Sequence, residues 1–159
     1  MNAGLDSEYQ SCLDAASRYL SYRPRSELEV RTRLKQRGFG SPSIDRVLQE
    51  LRKNGVLDDL AFAQFWKENR ESFNPRSRAL LRGELRTKGI APHIVAQVGE
   101  EVDEETSARR AAQKWARRLA GADYASFRNR LTLFLRRRGF SYDVVEHTVS
   151  QLWEESEEA

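Results

Sequence analysis

Cysteine is nearly absent. Cys12 stands alone in 159 residues, which excludes an intrachain disulfide and any cysteine metal cluster. Four prolines and nine glycines exclude collagen-like and proline-rich architectures. No run approaches the ~18 uncharged apolar residues of a membrane span. Val, Ile and Thr total 17 residues, and none of their runs alternates with period two, so strands are not expected. Residues 1–14 carry Asp6, Glu8 and Asp14 but no base, unlike a signal or transit peptide. These absences lead to the expectation of a soluble intracellular protein in a reducing compartment. Catalytic signatures are missing as well. There is no phosphate-binding glycine loop with Lys and Ser/Thr, and no His-Glu-x-x-His. His93 and His147 have no cysteines or acids clustered with them. Asp58-Asp59 reads as a helix cap. Cys12 has no basic neighbour closer than Arg18, so a reactive thiolate is not indicated. We expect no enzyme activity, no metal and no cofactor.

What is plentiful is arginine. The basic residues are 22 Arg and 5 Lys, and Arg is favoured where a planar fork meets carboxylate or phosphate. The net charge of +3 hides segregation: residues 23–37 sum to +4, 76–88 to +4 and 109–138 to +9. Against these, 99–105 sums to −5 and 154–158 to −4. Such unevenness points to a polyanion or an acidic protein face as partner. A solvated helical surface is the alternative.

The chain also repeats itself. Val30 to Phe39, Leu81 to Ile90 and Leu131 to Phe140 share a core of leucine, three residues, glycine and an apolar residue. Their glycines, Gly38, Gly89 and Gly139, are 51 and 50 residues apart. Arg-Pro-Arg-Ser at 23–26 aligns with Asn-Pro-Arg-Ser at 74–77. The pairs Val30/Leu34, Leu81/Leu85 and Leu131/Leu135 are four apart, on one helical face. Ser26 with Glu29 forms a capping box, and Ser77 repeats the cap. Each glycine falls where a helix ends in a left-handed residue, and Phe39, Ile90 or Phe140 follows as the accompanying apolar residue. Pro42 and Pro92 suit the first turn of a following helix. Leading helices carry Leu13 to Leu20, Phe62 to Trp66 and Ala108 to Leu119. The sequence therefore predicts an all-α protein of three tandem three-helix repeats: 1–56 with a short acidic N-terminal extension, 57–102, and 103–153, then an acidic tail at 154–159. Fifty-residue units are marginal alone and gain by stacking, so an elongated, curved array of either hand is expected. A compact globule of this length has a radius of gyration of ~15 Å. Solution scattering should exceed that value clearly, and a compact value would contradict the array.

Two repeat positions are basic in all three units: Lys35, Arg86 and Arg136, then Arg37, Lys88 and Arg138. Arg78, Arg82 and Arg86 follow one another at four-residue steps, as do Arg31 and Lys35. Together with Arg25, Arg76, Arg128 and Arg137 they are the candidate partner-binding or nucleic-acid-binding residues. Cations in a last helical turn also complement the helix dipole for ~0.3–1 kcal/mol each. That accounts for Arg37, Lys88 and Arg138, but not for Arg78, Arg82 and Arg128 near helix starts. A major-groove reader would carry its basic residues on the third helices. Those sum to +1, −2 and −2 over 42–54, 92–102 and 141–153. Phosphate contact without base readout, or contact with an acidic protein face, fits better. The aromatics Trp66, Trp115, Trp153, Phe62 and Phe65 sit on apolar faces and read as core rather than base-stacking platforms.

Several of these segments carry a family resemblance. Tyr19-Leu20 with Arg-Pro-Arg-Ser-Glu at 23–27, then Leu34 to Phe39, resembles the opening of RecX regulatory proteins. Asn-Gly-Val-Leu-Asp-Asp-Leu-Ala-Phe-Ala at 54–63 is similar to that family's most recognisable stretch. Residues 84–90 and 135–145 resemble its second and third repeat cores. The resemblance runs from about Leu13 to Trp153. It implies a bacterial cytoplasmic protein, monomeric and without catalytic residues. Such a protein lodges in the groove of the RecA–DNA filament and restrains ATPase, coprotease and strand-exchange activities, as part of DNA repair, recombination and the SOS response. Some members bind DNA directly, so single- or double-stranded DNA held through phosphate contacts is a second partner. A non-specific DNA-binding repeat protein acting on recombination indirectly is the alternative. The middle unit departs mildly, with Ala79 where the first unit has Leu28, and Gly83 inside a helix.

Overall fold

The structure is a computed structural model that describes residues 3–158. Among the described residues there are nine helices and no strand. They are α1 (Ala3–Tyr22), α2 (Glu27–Gln36), α3 (Ser41–Lys53), α4 (Asp59–Phe73), α5 (Arg78–Thr87), α6 (Pro92–Glu100), α7 (Glu104–Arg118), α8 (Tyr124–Arg137) and α9 (Tyr142–Glu158). They fall into three successive groups of three. Residues 154–158, distinct in charge, run on as the last turns of α9.

Each middle helix ends the same way. Gly38, Gly89 and Gly139 adopt φ of +89°, +78° and +86°. Beyond each glycine, the amides of Phe39, Ile90 and Phe140 donate to the carbonyls of Leu34, Leu85 and Leu135. The glycine amides donate to Lys35, Arg86 and Arg136. This pair of bonds satisfies carbonyls that a helix end leaves open. The starts are capped as well. Ser26 and Glu29 form the reciprocal box, the Ser77 hydroxyl accepts from the Leu80 amide, and Asp123 accepts from Ser126. Helix α5 runs unbroken through Gly83.

The contacts divide the chain into two compact units, Met1–Phe65 with Leu85–Ile94, and Trp66–Glu84 with Val95–Ala159. In the first, Cys12, Ala16, Val30, Leu34, Ile44, Val47, Leu48, Leu51 and Leu57 form one buried cluster. In the second, the buried cluster joins α7, α8 and α9 through residues such as Ala108, Ala112, Phe127, Leu131, Leu135, Phe140 and Val149. These are the i, i+3 and i+4 positions of the apolar stripes.

The same device links consecutive repeats inside each unit. In the first, Leu28 of α2 packs against Gly89 closely enough that a Cβ there would lie 2.7 Å from the leucine Cβ. In the second, Leu80 of α5 packs against Gly139, and the Ser77 amide donates to the Arg138 carbonyl. Leu80 thus occupies the place that Ala79 leaves empty in the aligned sequence. The acidic pair opening α4 is divided in role. Asp58 caps its own helix by accepting from Ala61, and Asp59 accepts from the Glu27 amide at the start of α2. Asp103 and Glu104 repeat the division: Asp103 accepts from Glu105 and Thr106, and Glu104 accepts from the Arg78 amide. Helix starts thus gain acceptors from the next repeat's leading helix, as their positive ends favour.

Glu29 sits at the centre of the first unit's polar contacts. Burial raises its carboxyl pKa, but the Arg23 hydrogen bond, the Ser26 amide and the charges of Arg23 and Lys88 outweigh that, leaving it below its ordinary 4.5. A carboxyl with a lowered folded-state pKa contributes stability above its unfolded pKa and loses it as pH falls through the folded value. Urea unfolding between pH 7 and pH 3 should therefore show acid destabilisation that is smaller in Glu29→Gln. Equal acid sensitivity in both proteins would contradict this.

Candidate partner-binding surface

In the first unit the candidate cations divide by their neighbours. Arg31 pairs with Asp45 at 2.9 Å. Arg25 lies over the Tyr19 ring at 4.0 Å and its Nε donates to the Tyr19 carbonyl at 3.4 Å, which together orient its guanidinium. Lys88 pairs with Glu29 at 3.3 Å. Lys35, Arg37 and Arg86 are exposed and make no ion pair among the described residues. They lie at the ends of α2 and α5, where the helix dipole also favours them.

In the second unit most candidates are engaged within the fold. Arg76 reaches Glu84 at 3.4 Å. The Arg78 guanidinium donates to the Val102 carbonyl at 2.6 Å. The Arg82 side chain packs against Gly99 of α6, where even a Cβ would collide with it. The four-residue stripe Arg78, Arg82, Arg86 is therefore one helical face in which Arg78 meets the turn between α6 and α7 and Arg82 packs against α6. Charge spacing in a helix gives the face but not what covers it. Arg128 pairs with Glu146 at 3.3 Å, and Arg136 donates to the Phe140 carbonyl at 3.0 Å. Arg137 is exposed. Arg138 is half-buried over the Phe134 ring, 4.6 Å from its centroid. Burial and then the positive charge of Arg76 push the Arg138 pKa below its ordinary value.

Five further exposed cations, Arg110, Lys114, Arg117, Arg118 and Arg130, lie on α7 and α8. None was among the candidates, although the +9 sum over 109–138 contains all five. The basic positions shared by the repeats lie on or at the ends of the middle helices, whereas four of these five lie on the leading helix α7 and Arg130 lies on α8 outside the shared positions. None of the five forms an ion pair among the described residues.

The remaining polar groups have local explanations. No group of three or more His, Cys, Asp or Glu among the described residues could hold a metal ion. His93 and His147 are exposed. Cys12 is buried, and that burial, with Glu8 nearby, pushes its thiol up to about 11, far from thiolate character at neutral pH. The aromatics pack partly as expected: Phe62 is buried, and Trp153 packs edge-on against Tyr124 and beside Phe127. The Trp66 indole donates to Glu84 at 3.0 Å. Among the described residues, no helix is long and apolar enough to cross a membrane.

Comparison with known proteins matches three family models in order. They are RecX first three-helix domain over residues 12–51, RecX second three-helix domain over 58–98, and RecX third three-helix domain over 103–149. A regulatory protein RecX of Prosthecochloris aestuarii is 34% identical over 92% of this chain and 97% of its own. One from Amycolatopsis mediterranei is 30% identical over 95% of this chain and 90% of its own. The crystal structure of RecX from Lactobacillus salivarius superimposes with a TM-score of 0.77 at 21% identity, covering 92% of this chain and 97% of that one. A second crystal structure of a regulatory protein RecX gives 0.73 at 22%, covering 91% and 72%.

Proposed function

This chain belongs to the RecX family, and from that premise we propose that it regulates the RecA recombinase by binding RecA and its filament on DNA. Binding restrains the filament's ATPase, strand-exchange and coprotease activities. The observation that carries the reading is the succession of all three RecX three-helix domains along one chain. An arginine-rich surface gives the reading its chemistry. Lys35, Arg37, Arg86 and Arg137 are exposed without carboxylate partners, and such groups suit acidic faces on a protein filament. The protein acts as a cytoplasmic monomer, with its repeats at 1–56, 57–102 and 103–153 as the contacting modules. Several weak contacts held in one chain reinforce one another through effective concentration.

A second reading has its own observation. The same unpaired cations, with those of α7 and α8, can neutralise phosphates without reading bases, so DNA is an additional ligand.

Pull-down of purified RecA in nuclease-treated, DNA-free solution separates the two. Retention of RecA, with dose-dependent loss of single-strand-dependent ATP hydrolysis, is the expected outcome. If RecA is retained only when DNA is present, and the chain binds that DNA equally well alone, the regulatory contact is with DNA.

A further inference from the structure

In the second unit, two adjoining hollows of about 440 and 500 Å³ share Asn74, Trp115, Phe134 and Arg138. Both are lined by a stacked pair of aromatic rings, each with an arginine over it. Trp115 and Phe134 lie face to face, 5.5 Å apart and 12° from parallel. Arg118 covers the Trp115 ring at 5.4 Å and Arg138 covers the Phe134 ring at 4.6 Å. A guanidinium resting on a ring keeps its N–H edge for an anion and is already oriented. Lys114 and Arg117 rise beside the stack from α7, and Arg130 and Arg137 from α8. Glu71 is the single carboxylate lining either hollow. Two apolar side chains stand out at the rim, Phe73 at 81% exposed and Leu133 at 55%. At the floor, the Trp115 indole N–H and the Asn74 side-chain oxygen are buried with no hydrogen-bond partner.

We propose that this groove is a docking site for an acidic, extended peptide segment of a protein partner, anchored by one apolar side chain between Phe73 and Leu133. Charge complementarity selects the acidic residues, since cations surround the groove with one opposing carboxylate. The anchor follows from two exposed apolar groups flanking a concave surface, where a central apolar contact dominates binding. The floor fits a peptide backbone better than a phosphodiester backbone. It offers one donor and one acceptor, and a peptide group returns one of each once the side chains open to it. A phosphodiester backbone has acceptors only. Strand binding without sequence preference also depends on open aromatic faces, and here the two rings are half-buried, stacked on each other, and each has an arginine over it. The site stands on its own residues, independent of whether RecA is the protein that supplies the segment.

The test uses the full chain and a fluorescein-labelled peptide of alternating Asp and Glu with one central Phe, read by polarisation. Companion probes are the same peptide with Ala for Phe, its Asn/Gln counterpart, and an oligothymidylate of equal charge. Binding of the acidic Phe peptide, at least tenfold weaker for the Ala and Asn/Gln forms, is the expected result. The exposed substitutions Phe73→Ala and Lys114→Glu with Arg117→Glu should each weaken it tenfold or more while the melting temperature holds. Lys53→Glu, an exposed position outside the groove, should not. Equal binding of the Phe and Ala peptides would reduce the groove to diffuse charge. Tighter oligothymidylate binding lost in the α7 variant would make it a nucleic-acid site. Absence of peptide binding, or binding unaffected by the variants, would also overturn the proposal.

Discussion

Alanine at Gly139 should destabilise the protein far more than alanine at Gly38, although the two glycines are aligned and share one backbone conformation. Both have positive φ, +86° and +89°, so each substitution places a Cβ in the left-handed region at about 1–2 kcal/mol. At Gly38 that is the whole effect, because an added Cβ meets nothing within 4 Å. At Gly139 the Cβ would lie 2.5 Å from both Leu80 Cγ and Ser77 Oγ. Relieving that overlap costs about 1–3 kcal/mol more. Displacing Ser77 also strains the cap it provides to Leu80, whose loss costs about 1 kcal/mol. Gly139→Ala should therefore lose roughly 2–5 kcal/mol in urea unfolding against about 1–2 for Gly38→Ala. Gly89→Ala, facing Leu28 Cβ at 2.7 Å, belongs with Gly139. Equal losses at Gly38 and Gly139 would mean that the Leu80 contact does not hold in solution.

Phe140→Ala should cost about 3–5 kcal/mol, the range for emptying a fully buried phenylalanine site. Phe140 is 0% exposed in the cluster of α7, α8 and α9. Phe39 fills the aligned position after the first stop glycine but is only half-buried against its own cluster. Its replacement leaves a space that solvent partly fills, so Phe39→Ala should lose clearly less. The comparison is made by denaturant midpoints at constant m-value. A Phe39 loss as large as that of Phe140 would contradict the difference in burial.

These pairs show where local and tertiary information part. The stop glycines, the Ser26–Glu29 box, the Ser77 cap and the apolar stripes were all readable beforehand. Each depends on residues within one helical turn, where spacing and residue chemistry are sufficient. The Asp58-Asp59 pair was half readable. Asp58 caps its own helix, while the partner of Asp59 is the Glu27 amide 32 residues away. The candidate surface was the least readable. Lys35, Arg37, Arg86 and Arg137 remain exposed, but Arg78 holds Val102 and Arg82 is covered by α6. Arg110, Lys114, Arg117, Arg118 and Arg130 were visible only as a charge sum.

The sequence by itself determined the helix content, the three-helix repeats and the ends of the middle helices, because hydrophobic period and capping act over a few residues. It also placed positive charge on α2, α5, α7 and α8. Tertiary structure alone decided which cations keep a free edge. Arg78 and Arg86 share one face of α5, yet Arg78 donates to a carbonyl 24 residues away while Arg86 stays exposed. Whether a charge is available depends on what packs opposite it, and that neighbour is chosen by the burial of apolar faces rather than by the charge.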